Sequence, residues 1–295
     1  MSAYILIKNL YVQNANAFSS AITVGFPAMT AWLGFVHALQ RKINEVKEFD
    51  NIKLPKTAVA CNEFKVHLYK GIDDYHASVI GTANPLTKEG KRSSFIEEAR
   101  CNIDASLLIE CEGLNSFELD NFKLLVENLL ISKLKFAGGD ILCFSKIDYI
   151  VAEEDYEKRK LLNSLMPGYI IIERRELLQD AMEKGKDALN ALIDTISVKT
   201  YCTKTDDNEP LWQTKRIYQG WLVPIAVGFQ GISELTPPGK TLCQRDNVTP
   251  HRFAEPIVTL GEFKLPARIK NFESAFWQYQ YLEDKNLYLC INKGE

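Results

Sequence analysis

The residues best suited to chemistry lie near the N-terminus, in an amide- and hydroxyl-rich loop within residues 13–27 and then at His37 and Arg41 on one face of a helix. Amides and hydroxyls both donate and accept, a guanidinium grips phosphate oxygens through paired N–H bonds, and an imidazole titrates near neutrality. No acidic residue occurs before Glu45, whereas Lys8, Arg41 and Lys42 are cationic. An acid-free, amide-rich loop that feeds a helix N-terminus lets a polyanion reach backbone N–H groups without repulsion. The residues alone favour a plainer reading, a strand–loop–helix connection whose Asn and Ser side chains satisfy the loop backbone. His37 fits a general base or a phosphate contact, although a lone His on an amphipathic helix is more often an ordinary hydrogen-bonding residue.

Elsewhere each catalytic template fails. There is no G-x-x-x-x-G-K-[ST] or G-x-G-x-x-G to cradle a nucleotide phosphate, and no H-E-x-x-H or close His/Cys cluster to hold a metal. No catalytic residue, metal or cofactor is therefore assigned. His67 falls within strand alternation and reads as structural, while His76 lies in an insert and reads as exposed. The Glu97-Glu98 and Glu153-Glu154 pairs adjoin other charges and read as solvated. Basic and aromatic residues interleave from Trp212 through Lys215, Arg216 and Tyr218 to Trp221, and Lys240, Arg245, His251 and Arg252 follow. Guanidiniums bind phosphates and rings stack on unpaired bases. A strand with buried Trp residues and solvated Lys and Arg fits the same letters equally well.

Composition narrows the class. With 35 basic against 38 acidic side chains, indiscriminate nucleic-acid binding is disfavoured, but a local basic groove is not. Seven cysteines are scattered without a C-x-x-C pair, which suits reduced cytosolic thiols better than a disulfide framework. Most of them fall in apparent strands, where a free Cys behaves as a small core hydrophobe. The N-terminus is too short and polar for a signal peptide, and no apolar run is long enough to span a bilayer. A soluble, cytoplasmic protein without a membrane partner is expected.

The elements that must position these residues follow from periodicity. Tyr4–Val12 alternates as a strand. From Pro27 the period becomes helical, with Met29, Trp32, Leu33, Val36, Leu39, Ile43 and Val46 on the apolar face and Pro27 suited to the first turn. Thr57–Tyr69 and Ala99–Glu112 read as strands. Between them lies a long insert whose tip carries Lys88, Lys91 and Arg92. Ser116 can cap a helix over Phe117–Leu134, stopped by Gly138-Gly139, and Ile141–Val151 reads as a fourth strand. The order β–α–β–insert–β–α–β is the split βαβ, ferredoxin-like (RRM-like) arrangement of an α+β protein, in which many unrelated functions are found. In the second half Glu153–Leu165 and Glu176–Val198 read as helices, the latter with a break at Gly185. Tyr169–Ile172 and Leu287–Asn292 read as strands, and Thr203–Pro210 as an acidic surface loop.

One string carries a resemblance. QNANAFSSAITVGFPAMTAWLGFVHALQR, residues 13–41, closely resembles the opening of the Csy-two subunits, in the Cas-five branch of the RAMP superfamily, of type I-F CRISPR surveillance (Cascade-type) complexes. The pattern there is QNANA-x-SS-x-x-T-x-GFP followed by GFVHALQR. The likeness continues in Asn84-Pro85-Leu86, Gly90, Glu98, Arg100, Ala137-Gly138-Gly139, Pro167-Gly168 and Gly220 to Ile225. It ends with Arg245-Asp246, Thr249-Pro250-x-Arg252-Phe253-x-Glu255 and Leu260-Gly261-Glu262. Asp140 departs from it by placing an acid after the double glycine.

The resemblance implies a non-catalytic subunit that holds the repeat-derived 5′ handle of the guide RNA. It also implies pairing with the large Csy-one subunit, contact with the terminal backbone Csy-three subunit, and target DNA met only through the guide. Residues 1–152 would form the ferredoxin-like RNA-binding domain, with the insert at about 71–98 as a thumb. Residues 153–295 would form a C-terminal α+β extension packing on it and on the partner. Asn14, Asn16, Ser19, Ser20, His37, Gln40 and Arg41 would contact the handle, with Lys88, Lys91 and Arg92 on the thumb. Arg245 and Arg252 match the family motif and would contact RNA or pair with Asp246 or Glu255. The alternatives are a guide-processing RAMP endoribonuclease with His37 as base, and a small-molecule enzyme on the same scaffold.

Overall fold

The computed structural model describes residues 3–83, 86–91, 95–96, 98–115, 118–204, 209–242, 244 and 246–292. The first strand, β1 (Ala3–Asn16), is longer than alternation alone predicts and carries two left-handed residues, Asn9 and Asn14, with φ 52° and 59°. Asn tolerates that conformation better than most residues because it has a short polar side chain. Helix α1 (Met29–Ile43) follows, and Met29, Trp32, Leu33, Val36, Leu39 and Ile43 are buried as their spacing requires. Pro27 lies outside the first turn, because Ala28 is extended (φ −53°, ψ 145°) and serves as the N-cap.

Strand β2 (Thr57–Val66), β3 (Arg100–Cys111) and helix α2 (Leu119–Ser132) occupy the expected segments. Ser116 lies outside the described residues, and the N-cap of α2 is Glu118. The expected single strand over Ile141–Val151 is two, β4 (Gly139–Cys143) and β5 (Lys146–Val151), both antiparallel to β1. The break matches the turn of β1 at Asn9, where the Ser145 N–H donates to the Lys8 carbonyl (2.9 Å) and the Ser145 hydroxyl to Asn9 Oδ1 (3.3 Å).

The second half adds α3 (Asp155–Asn163), β6 (Tyr169–Glu173), α4 (Arg175–Glu183) and α5 (Ala188–Ile196). Gly185, at φ 90°, divides the long helical segment as its sequence suggests. The span expected as an acidic loop belongs to a hairpin, β7 (Lys199–Lys204) with β8 (Pro210–Lys215), whose tip at 205–208 is outside the described residues. Strands β9 (Trp221–Gly231), β10 (Ala254–Lys264), β11 (Trp277–Leu282) and β12 (Leu287–Asn292) complete the fold.

Among the described residues, eleven strands form one mixed-order sheet in a predominantly antiparallel α/β molecule. From one edge the order is the two-residue strand Lys135–Phe136, β4, β1, β3, β2, β6, β10, β9, β12, β11, with β5 also on β1. The far end curls back, since Trp277 of β11 pairs with Thr57 of β2 and its indole N–H donates to the Ile171 carbonyl (2.8 Å). Asn292 locks this closure by donating to the Ser274 and Phe276 carbonyls at 2.8 and 2.9 Å. Helix α1 lies on the inner face within one core that joins Ile5, Trp32 and Leu107 to Ile225 and Trp277. Four thiols, Cys61, Cys101, Cys111 and Cys290, are buried core residues, whereas Cys143 and Cys202, also in strands, are exposed.

Candidate nucleic-acid interface

The acid-free stretch folds into a turn, a miniature hairpin and a helix start, all at the C-terminal end of β1. The Asn14 N–H donates to Asn102 Oδ1 (3.2 Å), and its carbonyl accepts from Arg100 (3.2 Å). Asn16 uses both ends of its amide on Phe18, accepting from the N–H at 2.9 Å and donating to the carbonyl at 3.1 Å. Strands Phe18–Ser20 and Thr23–Val24 then pair. The Thr23 hydroxyl sits 3.1 Å from that of Ser19 and 2.6 Å from that of Ser20, which also accepts from the Ile22 N–H. Ser20 is buried, whereas Asn14 is exposed and Asn16 and Ser19 are half-buried.

The turn Ala137-Gly138-Gly139 is pressed against this strand end. Ala137 and Gly138 are left-handed (φ 47° and 76°), and the Asn16 N–H donates to the Ala137 carbonyl at 2.9 Å. A Cβ on Gly139 would lie 2.5 Å from the Gln13 carbonyl oxygen and 2.7 Å from the Ala15 nitrogen, so only glycine permits the approach. Arg100, ion-paired with Glu98, braces both sides: it holds the Asn14 carbonyl and lies 3.5 Å from where a Gly138 Cβ would be. Asp140 does not face the turn as an uncompensated acid, because Lys135 pairs with it at 2.8 Å.

Helix α1 opens beside this turn with no side-chain cap and no acid in its first turn. Its first N–H groups are thereby left to solvent or a ligand, and the dipole favours an anion there. A groove of about 410 Å³ lies at this point, lined by Asn16, Ser19, Pro27, Thr30, Ala137 and Phe229, with no charged side chain. His37 and Arg41 are the exposed residues of α1 and have no side-chain partner among the described residues. At about 1.5 Å per residue, Arg41 stands roughly 18 Å along the axis from Met29. Gln40 is tied inward through its Oε1, which accepts from the Leu54 N–H (2.8 Å).

The structure thus brings Asn16 and Ser19 to one groove with Asn14 and Ser20 just behind it, and strings His37 and Arg41 along the adjoining helix. Lys88 and Lys91 are exposed in a turn closed by Thr87 and Gly90. Arg92 and Arg245 lie outside the described residues. Arg252 pairs with neither Asp246 nor Glu255; its guanidinium donates to Asn286 Oδ1, and its stem packs against Gly231. Trp212 is 69% and Trp221 50% exposed, against the reading of buried Trp residues, although Trp221 rests on Tyr169 and Phe263. His67 bonds Asn102 (3.0 Å) as a structural residue would. Reading the sequence missed Arg100 and Phe229 as site residues. Arg100 stands out only within the family pattern, and Phe229 is a strand aromatic with no local signal.

An α/β protein dominated by one antiparallel sheet, with an acid-free cleft at an uncapped helix, is the class these features define. No helix is long and apolar enough to cross a membrane among the described residues. The sequence model of the family described as CRISPR-associated protein (Cas_Csy2) matches residues 5–290, so the chain belongs to that family. It is also similar to the CRISPR-associated protein Csy2 of Pseudomonas aeruginosa (strain UCBPP-PA14). The two are 31% identical over 312 residues, covering 97% of this chain and 94% of the relative.

Proposed function

We propose that this chain is a non-catalytic guide-RNA-binding subunit of a type I-F CRISPR surveillance complex. It holds the 5′ handle of the guide in the groove at the start of α1. The observation that carries this is the uncapped, acid-free helix N-terminus facing a groove lined by Asn16, Ser19 and the Ala137 turn. Phosphates reach main-chain N–H groups there, and Arg41 and His37 continue the track along the helix. The strand order β4/β5–β1–β3–β2, with one helix after β1 and one after β3, supports the ferredoxin-like RAMP reading of the first half. The segment 71–98, bearing Lys88 and Lys91, acts as the thumb over the RNA. The large Csy-one subunit and the terminal Csy-three subunit are its protein partners, and target DNA is read by the guide's base pairing in the cytoplasm.

Arg41→Ala should weaken guide retention by about 1–3 kcal/mol, the scale of a charge-assisted phosphate contact. The measurement is RNA affinity of the full chain, together with guide yield from the assembled complex. Unchanged values would remove Arg41 from the interface. Incubation with repeat RNA should leave the RNA intact; metal-independent cleavage that disappears in His37→Ala would instead make the chain a processing endoribonuclease.

A further inference from the structure

The groove at the start of α1 does not end at the loop. Phe229 lines it and is 42% exposed, the first of three aromatic residues set side by side on adjacent strands. In register, Phe229 of β9 faces Tyr288 of β12, and Tyr288 faces Tyr281 of β11. Directly opposed residues present their side chains on the same face, and adjacent strands lie about 4.8 Å apart, so the three side chains line up across one face of the sheet. Tyr288 is 38% and Tyr281 57% exposed. Tyr279 sits behind them: its ring centroid is 5.0 Å from that of Tyr288, and its hydroxyl hydrogen-bonds that of Tyr288. Gly34 of α1 lies next to it: a Cβ there would stand at ordinary contact distance, 3.8 Å, from the Tyr279 hydroxyl. The row therefore has a fixed ring at its centre and runs beside α1. Arg252, bonded to Asn286 two residues before Tyr288, packs against Gly231 two residues beyond Phe229.

We infer that Phe229, Tyr288 and Tyr281 form a stacking ledge for unpaired bases of the RNA whose phosphates enter the groove at the start of α1. This rests on the RNA-binding reading above. Two features favour RNA as the occupant: the ledge shares Phe229 with the acid-free groove, and the helix beside it exposes His37 and Arg41 but no acid. Ring faces accept any base, so the ledge holds single-stranded RNA with little sequence preference, while the cations and helix dipole hold its backbone.

The test is binding of the full chain to a fluorescein-labelled single-stranded RNA, beside the same RNA carrying abasic residues. Phe229→Leu and Tyr288→Leu should each weaken base-bearing RNA about tenfold, within the range of one lost stack, and leave abasic RNA unaffected. Tyr288→Phe should retain affinity. Tyr281→Leu changes the most exposed of the three rings and gives a readout even if the other Leu variants fold poorly. If the variants bind base-bearing RNA like the parent while Arg41→Ala does not, the ledge is wrong and the RNA-binding reading stands. If the parent binds no RNA, both fall. Loss of a protein subunit from the complex in these variants, with RNA affinity intact, would assign the ledge to a protein contact and overturn the proposal.

Discussion

Asn16 spends both ends of its amide on the Phe18 backbone, whereas Gln40 spends only its carbonyl on the Leu54 N–H and keeps its NH2 group as a donor. Asn16 shapes the groove and Gln40 ties the far end of α1 to the Leu54 backbone, so main-chain N–H groups, Ser19 and the two exposed helix residues are placed to meet a ligand. Residue types announced this cluster and the Asn16 turn onto Phe18 is local, but the setting of Asn14 depends on partners far along the chain. Arg100 reaches the Asn14 carbonyl across 86 residues. All six described cysteines lie in strands, so the face each strand buries, and not strand position alone, divides them. Burial pushes the Cys61, Cys101, Cys111 and Cys290 thiols up to about 12, while Cys143 and Cys202 are exposed. Since the thiolate is the nucleophile, iodoacetamide at pH 8 should alkylate Cys143 and Cys202 in the native protein and spare the other four until urea is added. Mass spectrometry of the peptides gives the answer; rapid native labelling of Cys101 would mean that the strand end beneath Asn14 opens.

At the scale of elements, the groove depends on how closely the Ala137-Gly138-Gly139 turn approaches β1. Gly139→Ala should cost about 1–3 kcal/mol, because the methyl group meets main-chain atoms that cannot move aside. A urea melt tests this, and a midpoint within experimental error of the parent would show that the turn relaxes. Alternation and helical spacing located the first strand, both N-terminal helices and the strands around the insert, since each buries one face with its own period. Two boundaries escaped for local reasons. Asn9 turns β1 and splits the facing strand into β4 and β5, and Ala28 delays the start of α1 beyond Pro27. The hairpin β7–β8 was hidden because its strands bury almost nothing, so no face is apolar.

At the scale of the molecule, the sheet runs from the N-terminal half into the C-terminal half through the pairing of β2 with β6, and the two share a core. Residues 1–152 expressed alone should therefore expose the inner edge of β2 and lose the packing of Trp277 and Ile225. Sizing chromatography should show aggregate rather than a compact monomer. A cooperative, monomeric melt would show that the first half folds by itself. None of this closure was readable from the sequence, because a two-residue ladder between Tyr169–Ile170 and Ala60–Cys61 has no local signature. The central claim is that RNA lies where β1 meets α1. The direct measurement is photocrosslinking within a complex purified after co-expression with the neighbouring genes, using guide RNA substituted with 4-thiouridine in its 5′ handle. The account predicts a short co-purifying RNA whose handle crosslinks to residues 13–41 and to the Ala137 turn. A complex that assembles around its guide with no handle crosslink to this chain would contradict it.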